Sequence, residues 1–123
     1  MTEAELRERV IAICRELPEV EVIDHSPHRG FKVAGKNLGW FTVNEHGSDR
    51  IALVVRAGPK ENEALVASDP ERFELPRYVA RHGYVSCFLD LPTRPVDWDE
   101  ITELVRDSYR LVAPKRLVRM LDD

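Results

Sequence analysis

Residues 25–41, HSPHRGFKVAGKNLGWF, constrain the fold of this chain more than any other segment. Gly35-Lys36 reads as the two-residue loop of a β-hairpin, with glycine first as a type II′ turn requires. Pairing the strands across that loop sets Val33 against Leu38 and Phe31 against Trp40. Side chains alternate along a strand, so these four are expected on one face as a core side. His28, Gly30, Lys32, Asn37, Gly39 and Phe41 then fall on the other face, which is mixed and partly wet.

The flanking segments supply the rest of an architecture. Thr2 followed by Glu5 is a capping-box start, and Leu6, Val10, Cys14 and Leu17, with Ile13 beside them, recur at helical spacing until Pro18. A helix is expected over 3–17. NEHGSD at 44–49 is a polar loop, and RIALVVRA at 50–57 is a third strand with Ile51, Leu53 and Val55 on one side. Gly58-Pro59 breaks it and opens a short helix through KENEALVAS. DPERFELPRYVARHG contains two prolines and no clean period, and reads as mostly irregular. YVSCFLDL at 84–91 is another strand. Asp97 with Glu100 caps a long helix on which Ile101, Leu104, Val105, Ser108 and Val112 share a face, and Pro114 restarts a helical tail, PKRLVRML. This order predicts a single α+β domain over residues 1–123, an antiparallel sheet with helices packed on one face.

With 123 residues, 43% apolar and 33% charged, the chain has the size and composition of one globular unit. Its apolar runs are only a few residues long, far short of the roughly 20 that span a bilayer. The start, MTEAELRERV, is acidic and polar, so a cytoplasmic location without membrane contact is expected. Cys14 and Cys87 both read as small core residues in a reducing compartment. The net charge of −4 is uneven: residues 25–60 carry six basic and two acidic residues, and residues 108–123 carry four and two. The two remaining blocks are acidic. A local basic patch still acts within a Debye length of about 8–10 Å.

Several chemistries lack their residues. His25 and His28 are spaced like a zinc pair, but Ser26-Pro27 forbids the helix that a His-Glu-x-x-His site needs. On a strand, an offset of three points them to opposite faces, and no cysteine or histidine cluster completes a ligand set. No metal or cofactor is expected. His46 and His82 each sit beside a glycine in a turn. Neither a Gly-x-Ser-x-Gly elbow nor a phosphate-loop motif occurs, and Ser108 lies mid-helix. Asp97, Asp99 and Glu100 cluster at a helix start, where the macrodipole accounts for them. What remains is basic: Arg29, Lys32 and Lys36 about the hairpin, Arg50, Arg56 and Lys60 about the third strand, and Lys115, Arg116 and Arg119 on one helix face. Such cations also serve helix dipoles and protect sheet edges.

Four pieces in order resemble the MmcQ/YjbR family: the helix ending in ELPEV, then HSPHRGFKVAGKNLGWF, then GYVSCFLDL, and finally ELVRDSYRLVAPKRL. The VAGK hairpin and the Ser108-Tyr109 pair are the most specific parts. The resemblance spans nearly the whole chain. It implies a CyaY-like α+β fold in a double-wing arrangement, and a DNA-binding role. The chain departs from the commoner pattern at Gly83-Tyr84, where Gly-Trp is frequent. It departs again at ALVVRAGP, where a lysine-containing run is common.

The sequence therefore supports a non-enzymatic domain that binds DNA or other nucleic acid. Phosphate contacts are expected from Arg29, Lys32, Lys36, Arg56, Lys115, Arg116 and Arg119, with Phe41 or Tyr84 available for stacking. The alternative is a small-molecule or protein-partner module with a groove between the hairpin and the last helix, where His25, His28 and Tyr109 supply the polar groups. A deep groove with converging polar groups favours the alternative, and a flat cationic face favours nucleic acid.

Overall fold

The computed structural model describes residues 1–122. Its elements run α1 (Glu3–Arg15), β1 (Val20–His25), β2 (His28–Val33), β3 (Lys36–Val43), β4 (Ile51–Arg56), α2 (Glu61–Ser68), β5 (Phe73–Glu74), β6 (Tyr84–Phe88), α3 (Trp98–Val112) and α4 (Lys115–Asp122). Six strands form one open antiparallel sheet in the order β1-β2-β3-β4-β6-β5. The α+β class thus holds, with a larger sheet than the sequence suggested. β1 lies in VEVIDH, where acids alternate with Val20, Val22 and Ile23; it is an edge strand, and Val20 and Val22 pack on the core.

One face of the sheet is dry. Leu6, Val10 and Cys14 of α1 and Ile101, Val105 and Tyr109 of α3 close over Phe31, Val33, Leu38, Phe41, Leu53, Val55, Val85 and Cys87. Leu117 of α4 completes the cluster, fully buried. The capping box at Thr2 and Glu5 forms as its residues require, with both reciprocal bonds present. Asp97 caps α3 through the Asp99 and Glu100 N–H groups.

The hairpin differs from its expected register. The turn is Ala34-Gly35, both at positive φ (51° and 77°), the signature of a type I′ turn, and Val33 pairs with Lys36. A β-bulge follows: Phe31 faces Gly39 and Lys32 faces Asn37, which leaves Leu38 as the extra residue. The inserted residue shifts alternation by one. Phe41 therefore enters the core, fully buried, while Trp40 pairs with Gly30 on the opposite face, contrary to the expected sides of both.

The buried Ser108 hydroxyl ties the bulge to α3. It donates to the Leu38 carbonyl at 2.6 Å and accepts the Arg56 N–H at 3.0 Å. Gly39 is required beside it, because a Cβ there would collide with the Val54 carbonyl.

Candidate functional site: a cleft on the open face of the sheet

Alternation along the strands decides what the second face presents. Ile23 and His25 of β1, His28, Gly30 and Lys32 of β2, Trp40 and Thr42 of β3, Ala52, Val54 and Arg56 of β4, and Tyr84, Ser86 and Phe88 of β6 all point away from the helices. The segment after β5 folds back over this surface, and loop 44–50 meets it from the other side. Together they enclose a cleft of about 790 Å³. Its floor is Trp40, Thr42, Ala52, Val54, Ser86 and Phe88, and its roof runs from Glu74 through Pro76 to Val79.

The mouth is built from loops under strain. His46 (φ 54°) and Tyr78 (φ 68°) both occupy the left-handed region, which costs non-glycine residues about 1–2 kcal/mol each. Their rings meet edge-on at 5.7 Å, closing one loop against the other. Arg50 stands behind them with its guanidinium 4.0 Å over the Phe88 ring. Its Nε–H donates to Asp90 at 3.1 Å, and Asp90 also accepts the Ile51 N–H at 3.0 Å. Arg50 Nη2 is shielded from solvent and lies 3.1 Å from the same carboxylate oxygen without an aligned hydrogen bond. The guanidinium is thus held in place with much of its donor capacity unspent.

His25 and His28 face each other across the β1–β2 turn and both line the cleft. This corrects the expectation that they point to opposite faces. The two-residue turn Ser26-Pro27 puts them on separate strands as a cross-strand pair, and such pairs share a face. His28 Nδ1 accepts the Val43 N–H at 3.0 Å, so in the neutral ring Nε2 carries the proton. Among the described residues no group of three or more His, Cys, Asp or Glu side chains is placed to hold a metal ion.

Tyr109 does not join these histidines. It lies on the helix side, fully buried, with its hydroxyl donating to the Pro18 carbonyl at 2.8 Å. Burial pushes its phenol above the usual range, with Glu19 adding to the rise and Arg116 opposing it. The groove expected between the hairpin and the last helix is filled by core side chains, Tyr109, Leu38 and Val105 among them.

The seven cations expected at phosphates separate in the same way. Lys32 and Arg56 lie on the open face at the hairpin end of the sheet, where Arg56 Nε donates to the His82 carbonyl. Lys36, opposite Val33, lies on the helix side of the hairpin. Arg29 sits at the far end of β2, bound to Asp24 at 3.1 Å. Lys115, Arg116 and Arg119 are exposed on α4, and Arg116 is paired with Glu19 at 3.0 Å. The two basic blocks therefore do not make one continuous face. Of the expected stacking residues, Phe41 is in the core. Tyr84 backs Trp40 at 5.3 Å and spends its hydroxyl on the Asn37 carbonyl.

Trp40, expected in the core, Arg50, noted only as a cation beside the third strand, and Arg77, Tyr78 and Phe88 belong to the site without having been expected there. Phe88 and Ser86 were readable by alternation with Cys87. Trp40 was hidden by the bulge, and the roof by the irregularity of its own segment.

The YjbR family model matches residues 15–111. No curated protein matches the sequence. Among solved structures, the crystal structure of Deinococcus radiodurans protein DR2400, a DUF419 domain, superposes with a TM-score of 0.67 at 21% identity, covering 90% of this chain and 83% of that one. At that identity the likeness shows the fold. The family match takes in β1 to β6 and nearly all of α3, hence both faces of the sheet: this chain belongs to the YjbR family.

Proposed function

We propose that the protein is a non-enzymatic domain that binds nucleic acid, DNA included, with the open face of its sheet. One observation carries the reading: the rings of Trp40, Phe88 and Tyr78 lie between two cationic ends, Lys32 with Arg56 and Arg50 with Arg77. A cleft with ring platforms and cations at its two ends suits a single strand, since stacking is worth about 1–3 kcal/mol per base and tolerates any sequence. A binding role rather than a catalytic one is supported by the state of three candidate nucleophiles on the helix side of the sheet. Ser108 is committed to two structural hydrogen bonds, and burial pushes the Cys14 and Cys87 thiols up to about 12. Two buried free thiols also suit a cytoplasmic, reducing setting. Among the described residues no helix is long and apolar enough to cross a membrane.

Fluorescence anisotropy with a labelled single strand and a matched duplex tests the reading. Four phosphate contacts to a single strand give a log–log salt slope of roughly −3, or about 50-fold weaker binding on going from about 50 to 200 mM salt. Lys32→Glu with Arg77→Glu should abolish binding, and Arg116→Glu, on the helix side, should leave it intact. Binding that survives the first pair and falls with the second change would return the function to the hairpin and tail.

A second reading, a small-molecule ligand, is favoured by the roof: a partly open cleft of about 790 Å³ on which polar groups converge is in the range of ligand pockets and meets the sequence criterion for a ligand module.

A further inference from the structure

We infer that the roofed cleft is a pocket for a single unpaired nucleotide, its ring against Trp40 and its phosphate on Arg50. This rests on the reading above and names what part of a nucleic acid enters the protein. Three features of the cleft converge on it.

The floor offers a ring-sized bay. Trp40 is half-buried and backed by Tyr84 at 5.3 Å, so its orientation is fixed. Ala52 and Ser86 on the same floor are small, which gives the bay its depth. A planar ring fills such a bay with stacking contact on one face and apolar contact with Val54 and Phe88.

The walls offer polar edges. His28 presents Nε2, because its Nδ1 is taken by the Val43 N–H. His25 and the Ser86 hydroxyl line the same space. His28 Nε2 is a donor, and the Ser86 hydroxyl donates or accepts according to its partner, which together suit the mixed edge of a nucleobase.

The mouth offers an anion site. Arg50 is immobilised by Asp90 and Phe88, and with Nε bonded to Asp90 and Nη2 shielded against the same carboxylate, the Nη1 N–H groups are the ones left for phosphate oxygens. The Ser48 hydroxyl accepts the Arg50 N–H at 3.2 Å and keeps its own proton to donate. Arg77 adds a second cation on the roof, without a side-chain partner among the described residues. Glu45 and Glu74 also line the cleft, so Arg50 and Arg77 hold it near neutrality rather than strongly positive. Discrimination for phosphate therefore comes from the fixed position of the Arg50 guanidinium rather than from bulk charge.

The same nucleotide chemistry arises from two sources, a free mononucleotide and an exposed nucleotide within a strand. The test uses the full chain with Trp98→Phe, which leaves Trp40 as the sole tryptophan reporter. Adenosine 5′-monophosphate, adenosine, ribose 5-phosphate and a short oligothymidylate are titrated while Trp40 emission is followed. Emission should be quenched by the monophosphate and by the oligonucleotide, more weakly by adenosine, and not by ribose 5-phosphate. Ala52→Leu, which fills the bay, should weaken both by at least tenfold with an unchanged melting temperature. Arg50→Lys keeps the charge but loses the anchoring on Asp90 and Phe88, and should erase the advantage of monophosphate over adenosine. Strand binding with a salt slope that is lost in Lys32→Glu with Arg77→Glu, but with no Trp40 response and no effect of Ala52→Leu, overturns the pocket and keeps only the cationic ends of the open face as the binding surface. Quenching by the monophosphate without strand binding keeps the pocket, identifies a free nucleotide as its ligand, and removes the nucleic-acid reading. No response to any probe overturns both.

Discussion

Ser108 and Tyr109, adjacent on α3, show how much a sequence-distinctive pair can owe to the fold alone. The Ser108 hydroxyl satisfies the Leu38 carbonyl and the Arg56 N–H in a site with no solvent access. Ser108→Ala should therefore strand two buried backbone groups, each costing about 1–3 kcal/mol. Tyr109→Phe removes one bond, to the Pro18 carbonyl, and should cost about 1 kcal/mol. Urea unfolding measures both, and a Ser108→Ala midpoint equal to that of the wild type would contradict the role given to the bulge. The residue scale is also where the sequence misled. Trp40 and Phe41 are adjacent and both aromatic, so strand parity alone decides which is core. A single inserted residue, Leu38, reverses that parity, and nothing in GKNLGWF announces it.

At the scale of elements, long periodic segments were legible and linked ones were not. α1 and α3 follow the apolar spacing of Leu6, Val10 and Cys14 and of Ile101 and Val105. The faces of β4 follow from Leu53 and Val55, both core, alternating with Ala52 and Val54, both cleft. The cleft itself was not legible. Its roof is an irregular segment without a period to read. Contacts between residues far apart in the chain are equally hidden: Asp69, just after α2, accepts two hydrogen bonds from Arg94 at 2.6 and 3.0 Å. Those bonds hold the Asp69 carboxyl down at about 2. A folded value below the unfolded one means that the stabilisation is complete above the ordinary aspartate range, near about 3.9, and is lost as pH falls through about 2. The wild-type Tm should thus fall more steeply between these pH values than that of Asp69→Asn. Parallel decline of the two proteins would show that the tie contributes nothing.

At the scale of the whole molecule, one sheet separates two duties. Its helix side is sealed by α1, α3 and Leu117 of α4, and its other side is left concave and ring-lined. The sheet also divides the basic residues, so the charge blocks seen along the chain do not become one patch in space. Lys32 and Arg56 share the open face, while Lys36 and the exposed cations of α4 stand on the helix side. Charge along a chain carries no record of which side of a strand it occupies, so this division depends on register. The most direct test of the open-face account is to map amide and indole chemical-shift changes on adding a short single-stranded oligonucleotide. The account predicts that they concentrate at the Trp40 indole and at Thr42, Val54, Ser86 and Phe88. Changes confined to Lys36 and residues 115–119 would contradict it.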